Sequence, residues 1–97
     1  MIIHVKYIAV QGFGKRENIE RFLYDHTKIV EHYEGEYRGE AYSYAVLRTE
    51  ATSNERVNYF AKYQVERFQS GLYSAKIADK PIEVLPIGAN TSMWTIL

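Results

Sequence analysis

EAYSYAVLRTEATSNERVNYFAKY, residues 40–63, is the stretch on which the fold turns. Its first half alternates: Tyr42, Tyr44, Val46 and Arg48 lie on one face, and Ala41, Ser43, Ala45 and Leu47 on the other, which predicts a strand over 40–50. Its second half carries two periods at once. Val57, Phe60, Ala61, Val65 and Phe68 fit a helix, and Thr52 with Glu55 would supply its capping box. Val57, Tyr59, Ala61 and Tyr63 also alternate against Arg56, Asn58, Phe60, Lys62 and Gln64. Turn chemistry in Ala51-Thr52-Ser53-Asn54 allows a hairpin with Val46 opposite Tyr59, Tyr44 opposite Ala61 and Tyr42 opposite Tyr63. That register gathers the apolar residues of both strands on one face, as cross-strand packing requires, and the hairpin is the favoured reading.

Outward from this stretch, residues 2–10 read as a strand with apolar groups on both faces, so both faces are expected to be covered. Residues 15–34 carry a stripe of Ile19, Phe22, Leu23, His26, Val30 and Tyr33 at steps of three and four, which predicts one helix ending at Gly35. After the hairpin, Val65, Phe68, Leu72 and Ala75 suggest a short second helix. Residues 82–87 suggest a last strand that lies at an edge near Pro86. The order is β-α-β-β-α-β, an α+β ferredoxin-like antiparallel sheet with two helices on one face. All 97 residues form one domain, with 1–88 as its core and 89–97 as a C-terminal tail that holds the only tryptophan, Trp94.

Composition narrows the function classes. Twelve Lys and Arg balance twelve Asp and Glu, which argues against nucleic acid or an anionic membrane as main partner. With no cysteine there is no disulfide, thiol nucleophile or cysteine-zinc site. No apolar run is long enough to span a bilayer and no signal peptide is recognisable, so a cytoplasmic location is expected. His4, His26 and His32 lack metal-ligand spacing, and no metal is expected. Gly12-Phe13-Gly14-Lys15 lacks the full dinucleotide and P-loop patterns and reads as a strand-to-helix turn. Asn90-Thr91-Ser92 is a glycosylation sequon with no role in a cytoplasmic chain.

The unusual number is nine tyrosines against four phenylalanines. Tyrosine suits half-wet places, pocket walls and protein interfaces. Tyr42, Tyr44, Tyr59 and Tyr63 converge on one face of the expected hairpin and are the candidate ligand-binding set. Trp94 is the candidate interface anchor. His4, on a strand beside the hairpin, and His26, on the helical stripe, are the candidate proton-transfer groups. Neither face of the hairpin is polar, so a second copy of the chain is expected to cover the outer one as a homodimer.

The chain resembles the antibiotic biosynthesis monooxygenase-like family of dimeric α+β barrels. The resemblance lies in the opening Met1-Ile2-Ile3-His4-Val5-Lys6-Tyr7, in Gly14-Lys15-Arg16-Glu17 leading to Ile19-Glu20-Arg21-Phe22, and in Val57-Asn58-Tyr59 running to Tyr63 as a third strand. Phe68-Gln69-Ser70-Gly71-Leu72-Tyr73 and Pro81-Ile82-Glu83-Val84-Leu85-Pro86 are similar to the family's second-helix region and last strand. The resemblance implies a homodimeric enzyme that oxidises a planar aromatic or quinol with no bound cofactor. Ser74-Ala75-Lys76-Ile77 stands where the haem-degrading members carry a ligand histidine, so no haem is implied. Beside this stands a second function class: a non-catalytic protein-binding regulator or inhibitor that uses its tyrosine-rich surface.

Overall fold

The computed structural model describes residues 2–79. Strand β1 (His4–Phe13), helix α1 (Arg16–Glu20), strands β2 (Thr27–Tyr37) and β3 (Glu40–Ala51), helix α2 (Asn54–Ser70) and strand β4 (Ser74–Ala78) follow in that order. The four strands form one antiparallel sheet in the order β2-β3-β1-β4. The fold is α+β and consistent with the ferredoxin-like arrangement. Among the described residues, no helix is long and apolar enough to cross a membrane.

The expected order is present, but it is built from other segments. The helix expected over 15–34 is only α1, and residues 27–37 are strand β2. Thr27, Ile29, Val30, Tyr33 and Tyr37 are β-branched or aromatic, and long-range pairing with β3 overrides a helical spacing that α1 satisfies for a single turn. A bulge between Ile29 and Glu31 breaks the alternation of β2, which hides the strand from a period count. The hairpin turn is Arg38-Gly39, both with positive φ (54° and 82°), as a two-residue turn with matching twist requires.

The hairpin expected over 40–64 does not form. Residues 54–70 are helix, so Tyr59, Ala61 and Tyr63 are not paired with β3. Tyr44 lies opposite Gln11 and Tyr33, and Val46 opposite Ala9 and Glu31. The cap is Ser53, whose hydroxyl accepts from the Arg56 amide at 3.1 Å. As a helix the segment buries Val57, Ala61, Gln64 and Phe68 along one stripe, which a strand could not do. The second helix expected from Val65 onward is the end of α2; Ser74 and Ala75 belong to β4. The strand expected over 82–87 and the tail with Trp94 lie outside the described residues.

The main core sits between α2 and one face of the sheet. Ile8 and Val10 of β1, Ala45 and Leu47 of β3, Ile19 of α1, and Ala61 and Phe68 of α2 have no exposure. Phe22, Phe68 and Tyr73 meet edge to face at 5.7–5.9 Å. Gly12 is required here, because a Cβ would lie 2.5 Å from the Tyr73 ring.

Between α1 and β2 the chain has no ladder to satisfy its backbone, and Gln64 supplies the partners. Its Nε2 donates to the Phe22 carbonyl at 2.6 Å, and its Oε1 accepts from the Tyr24 amide at 3.1 Å. Gln64 has no exposure. Gln64→Leu fills similar space but leaves both backbone groups unpaired. We expect a loss of about 2 kcal/mol, read as a lower urea midpoint at unchanged m. Ser53→Ala is expected to cost about 1 kcal/mol through the lost cap, by the same measurement.

Candidate functional surfaces

In β3 every second side chain points away from α2, and the sequence places Tyr42, Tyr44 and Val46 there. Their cross-strand partners bring Ala9, Gln11 and Phe13 from β1 and Tyr33 from β2 to the same face. Tyr33 and Tyr44 stack at 5.5 Å, while Phe13, Tyr37 and Tyr42 form a triangle of rings 5.7–6.1 Å apart. Arg38 lies over the Tyr37 ring at 5.2 Å. The Tyr42 hydroxyl donates to Gln11 Oε1, inside a buried pair. Burial, then the neighbouring Tyr37 and Tyr44, push the Tyr42 hydroxyl up to about 12. Burial also raises Tyr44, with Glu31 and Tyr33 adding to the shift.

Tyr59 and Tyr63 stand elsewhere, on the outer side of α2, four residues apart and thus one above the other. They are 64% and 46% exposed. Tyr63 stacks on Tyr24 at 4.6 Å with planes 10° apart, and Tyr59 continues the ladder at 6.1 Å with the same tilt. Arg67, the next residue in the i, i+4 series, sits 6.0 Å from the Tyr24 ring centre and 5.5 Å from that of Phe22. The Tyr24 hydroxyl is raised chiefly by its hydrogen bond with Tyr63 and by burial, with Arg67 opposing. Beside Tyr59 lies a cavity of about 520 Å³, lined among the described residues by Ser53, Glu55, Arg56, Tyr59 and Phe60.

The six candidate residues that the structure describes are therefore divided. Tyr42 and Tyr44 are on the sheet, and Tyr59 and Tyr63 on the helix; the shared tyrosine face expected from the hairpin is not formed, because α2 is helical. His26 is not on a helix. It precedes β2, and its ring lies flat on Phe60 at 3.8 Å and 9°. His4 opens β1 opposite Ala51. A shallow cleft of about 230 Å³ joins His26 to Asp25, Lys28, Arg48 and Glu50, with Arg48 and Glu50 paired at 2.5 Å. Among the described residues no group of histidines and carboxylates could hold a metal. Trp94 lies outside the described residues.

Sequence reasoning missed Phe13, Tyr24, Tyr33, Tyr37 and Arg67. The spacing Tyr59, Tyr63, Arg67 would have shown the ladder once the segment was read as helix. The other four needed the pairing of β3 with β1 or β2, or the position of the 21–26 connection.

The Tyr42 shift has a sign that alkaline titration can read. The folded chain holds this proton more tightly than the unfolded one, so the stability it lends is full below pH 10 and is lost as pH rises towards 12. Absorbance titration at 295 nm is expected to show a late tyrosine component that ionises towards pH 12, and Tyr42→Phe is expected to reduce it by one tyrosine. No protein-family model, curated protein or solved structure matches the chain, so a functional reading rests on these surfaces alone.

Proposed function

We propose that this chain is a non-catalytic protein-binding module whose partner surface is the aromatic ladder on α2. The observation that carries the reading is the exposed stack of Tyr24, Tyr63 and Tyr59 with Arg67 at its end. Tyrosine and arginine are the residues that dominate interface energetics: they offer large, rigid contact area with polar tips that hydrogen-bond at the rim. The ladder is also preorganised. The Tyr24 backbone is pinned by the hydrogen bond its N–H donates to Gln64 Oε1, and its ring stacks on that of Tyr63; Tyr59 and Tyr63 stand on consecutive turns of a capped helix, so little side-chain freedom remains to be lost on binding. The cavity at Tyr59 gives a partner side chain a place to enter.

The separation of the candidate residues favours this reading over oxidation of an aromatic or quinol. That chemistry was expected to gather four tyrosines around one cleft with His4 or His26. Here Tyr42 and Tyr44 are on the sheet and Tyr59 and Tyr63 on α2, so the four line no common cleft. The neutral net charge weighs against bases stacking on the ladder, since phosphate neutralisation supplies most of the affinity for nucleic acid.

Wild-type chain and the double variant Tyr59→Ala/Tyr63→Ala serve as paired baits, with quantitative mass spectrometry of what each retains. Both substitutions are on the exposed helix surface, so circular dichroism is expected to be unchanged. A stoichiometric partner retained by wild type and reduced at least tenfold by the variant is the expected result. Equal capture by both, or turnover of a quinol panel by the purified chain, overturns the proposal.

A further inference from the structure

Gly12-Phe13-Gly14 leads from β1 to α1, and partner binding at the ladder makes no use of it. Gly14 has φ 127°, a conformation that a side chain would strain. Two polar groups meet above it: a Cβ on Gly14 would lie 2.8 Å from Asn18 Nδ2 and 3.5 Å from the Tyr73 hydroxyl. Tyr73 arrives there from the far end of α2. Leu72 before it has φ 69° and is 94% exposed, so the chain turns at Leu72 and sends Tyr73 inward, where it is buried.

The Asn18 amide donates to the Tyr73 hydroxyl. Burial raises that hydroxyl, against the opposing pull of Asn18 and Arg21, so it keeps its proton at neutral pH. A hydroxyl that accepts from Asn18 still has its own proton to give. Arg21 is exposed and near enough to pull on the same hydroxyl. The ion pairs among the described residues use Lys6, Arg16 and Arg48, so the Arg21 guanidinium is not tied to a carboxylate there. These groups line a cavity of about 230 Å³, bounded among the described residues by Phe13, Asn18, Arg21, Phe22, Gly71 and Tyr73. None of the six is acidic, and Arg21 carries the one formal charge among them. Three donors therefore converge, and half-buried Phe22 adds an apolar wall.

We infer that this cavity is a binding site for a small monocarboxylate with a single-ring apolar body. The charge count selects the anion: one guanidinium balances one negative charge, and a dianion would keep charge uncompensated. The two oxygens of a carboxylate also suit the donors, one facing Arg21 and the other the Tyr73 proton. The volume selects the body. Pockets for drug-sized molecules start at about 300 Å³, and this smaller cavity has room for one ring, set against Phe22. The site is separate from the ladder, since Tyr24, Tyr59 and Tyr63 do not line it.

The full chain, isotope-labelled at its backbone nitrogens, is titrated with benzoate at neutral pH and fixed ionic strength. Benzamide and inorganic phosphate serve as controls. Expected are saturable amide shifts at Asn18, Arg21, Gly71 and Tyr73 with benzoate, in the millimolar range, and no saturation there with either control. Arg21→Gln changes an exposed side chain and is expected to weaken benzoate by about tenfold. Tyr73→Phe keeps the ring over Gly12 and is expected to weaken it several-fold. Benzoate shifts that stay linear, that saturate only away from the cavity, or that ignore Arg21→Gln overturn the inference. So does equal binding of benzamide, which means that charge is not read, or of phosphate, which means a general anion site. Amide shifts of β1 and β3 report whether each variant is folded; if Tyr73→Phe is not, Arg21→Gln decides.

Discussion

Everything else in this fold depends on one stripe of α2 lying against the sheet. Ala61 and Phe68 fill the space above Ile8, Val10, Ala45 and Leu47, and Val57 and Gln64 are buried in the same stripe, the Gln64 amide turned to the chain between α1 and β2. A buried amide is costly unless both ends are bonded. Here both ends are, and the two bonds fix residues 22–24 where no ladder could. The contact therefore does three things: it closes the core, it hands the chain to the start of β2, and it positions Tyr24 so that its ring meets Tyr63.

That arrangement also separates two aromatic surfaces by chemistry. On the sheet, tyrosine rings crowd around Ala9 and Val46, and the Tyr42 hydroxyl is satisfied internally by Gln11 and driven up by burial. On α2, the rings are stacked, exposed and flanked by a guanidinium. Buried tyrosine with internal partners stabilises a fold, whereas exposed and stacked tyrosine leaves large contact area at the surface. The tyrosines thus stand in two environments, and only the ladder on α2 is the surface proposed above to meet a partner.

Much of the fold was legible. β1 and β3 show themselves by β-branched and aromatic residues, whereas the end of α2 at Gly71 was missed, because the second helix was expected to run on through Leu72 and Ala75. β2 was not legible, because its bulge at Ile29 and Glu31 breaks the period while Ile19, Phe22, Leu23 and His26 run into it at helical steps. The 55–64 segment was not legible either, since Val57 and Ala61 satisfy both periods. Each error moved candidate residues with it. Tyr59 and Tyr63 left the sheet, His26 left the helix, and Tyr33 and Tyr37 joined Tyr44 and Tyr42 on a strand that was expected to be helix.

By itself the sequence determined the α+β class, the absence of cysteine chemistry and the large stock of tyrosine, while the expected element order matched only as a pattern built on other segments. The tertiary structure alone decided which segment pairs with β3, and through that pairing which tyrosines share a surface. The physical reason is that helix and strand periods are local properties and can coincide over a short segment. Strand pairing is non-local: two segments could complete the hairpin with β3, and only one of them left a second segment free to bury Val57, Ala61, Gln64 and Phe68 across the sheet.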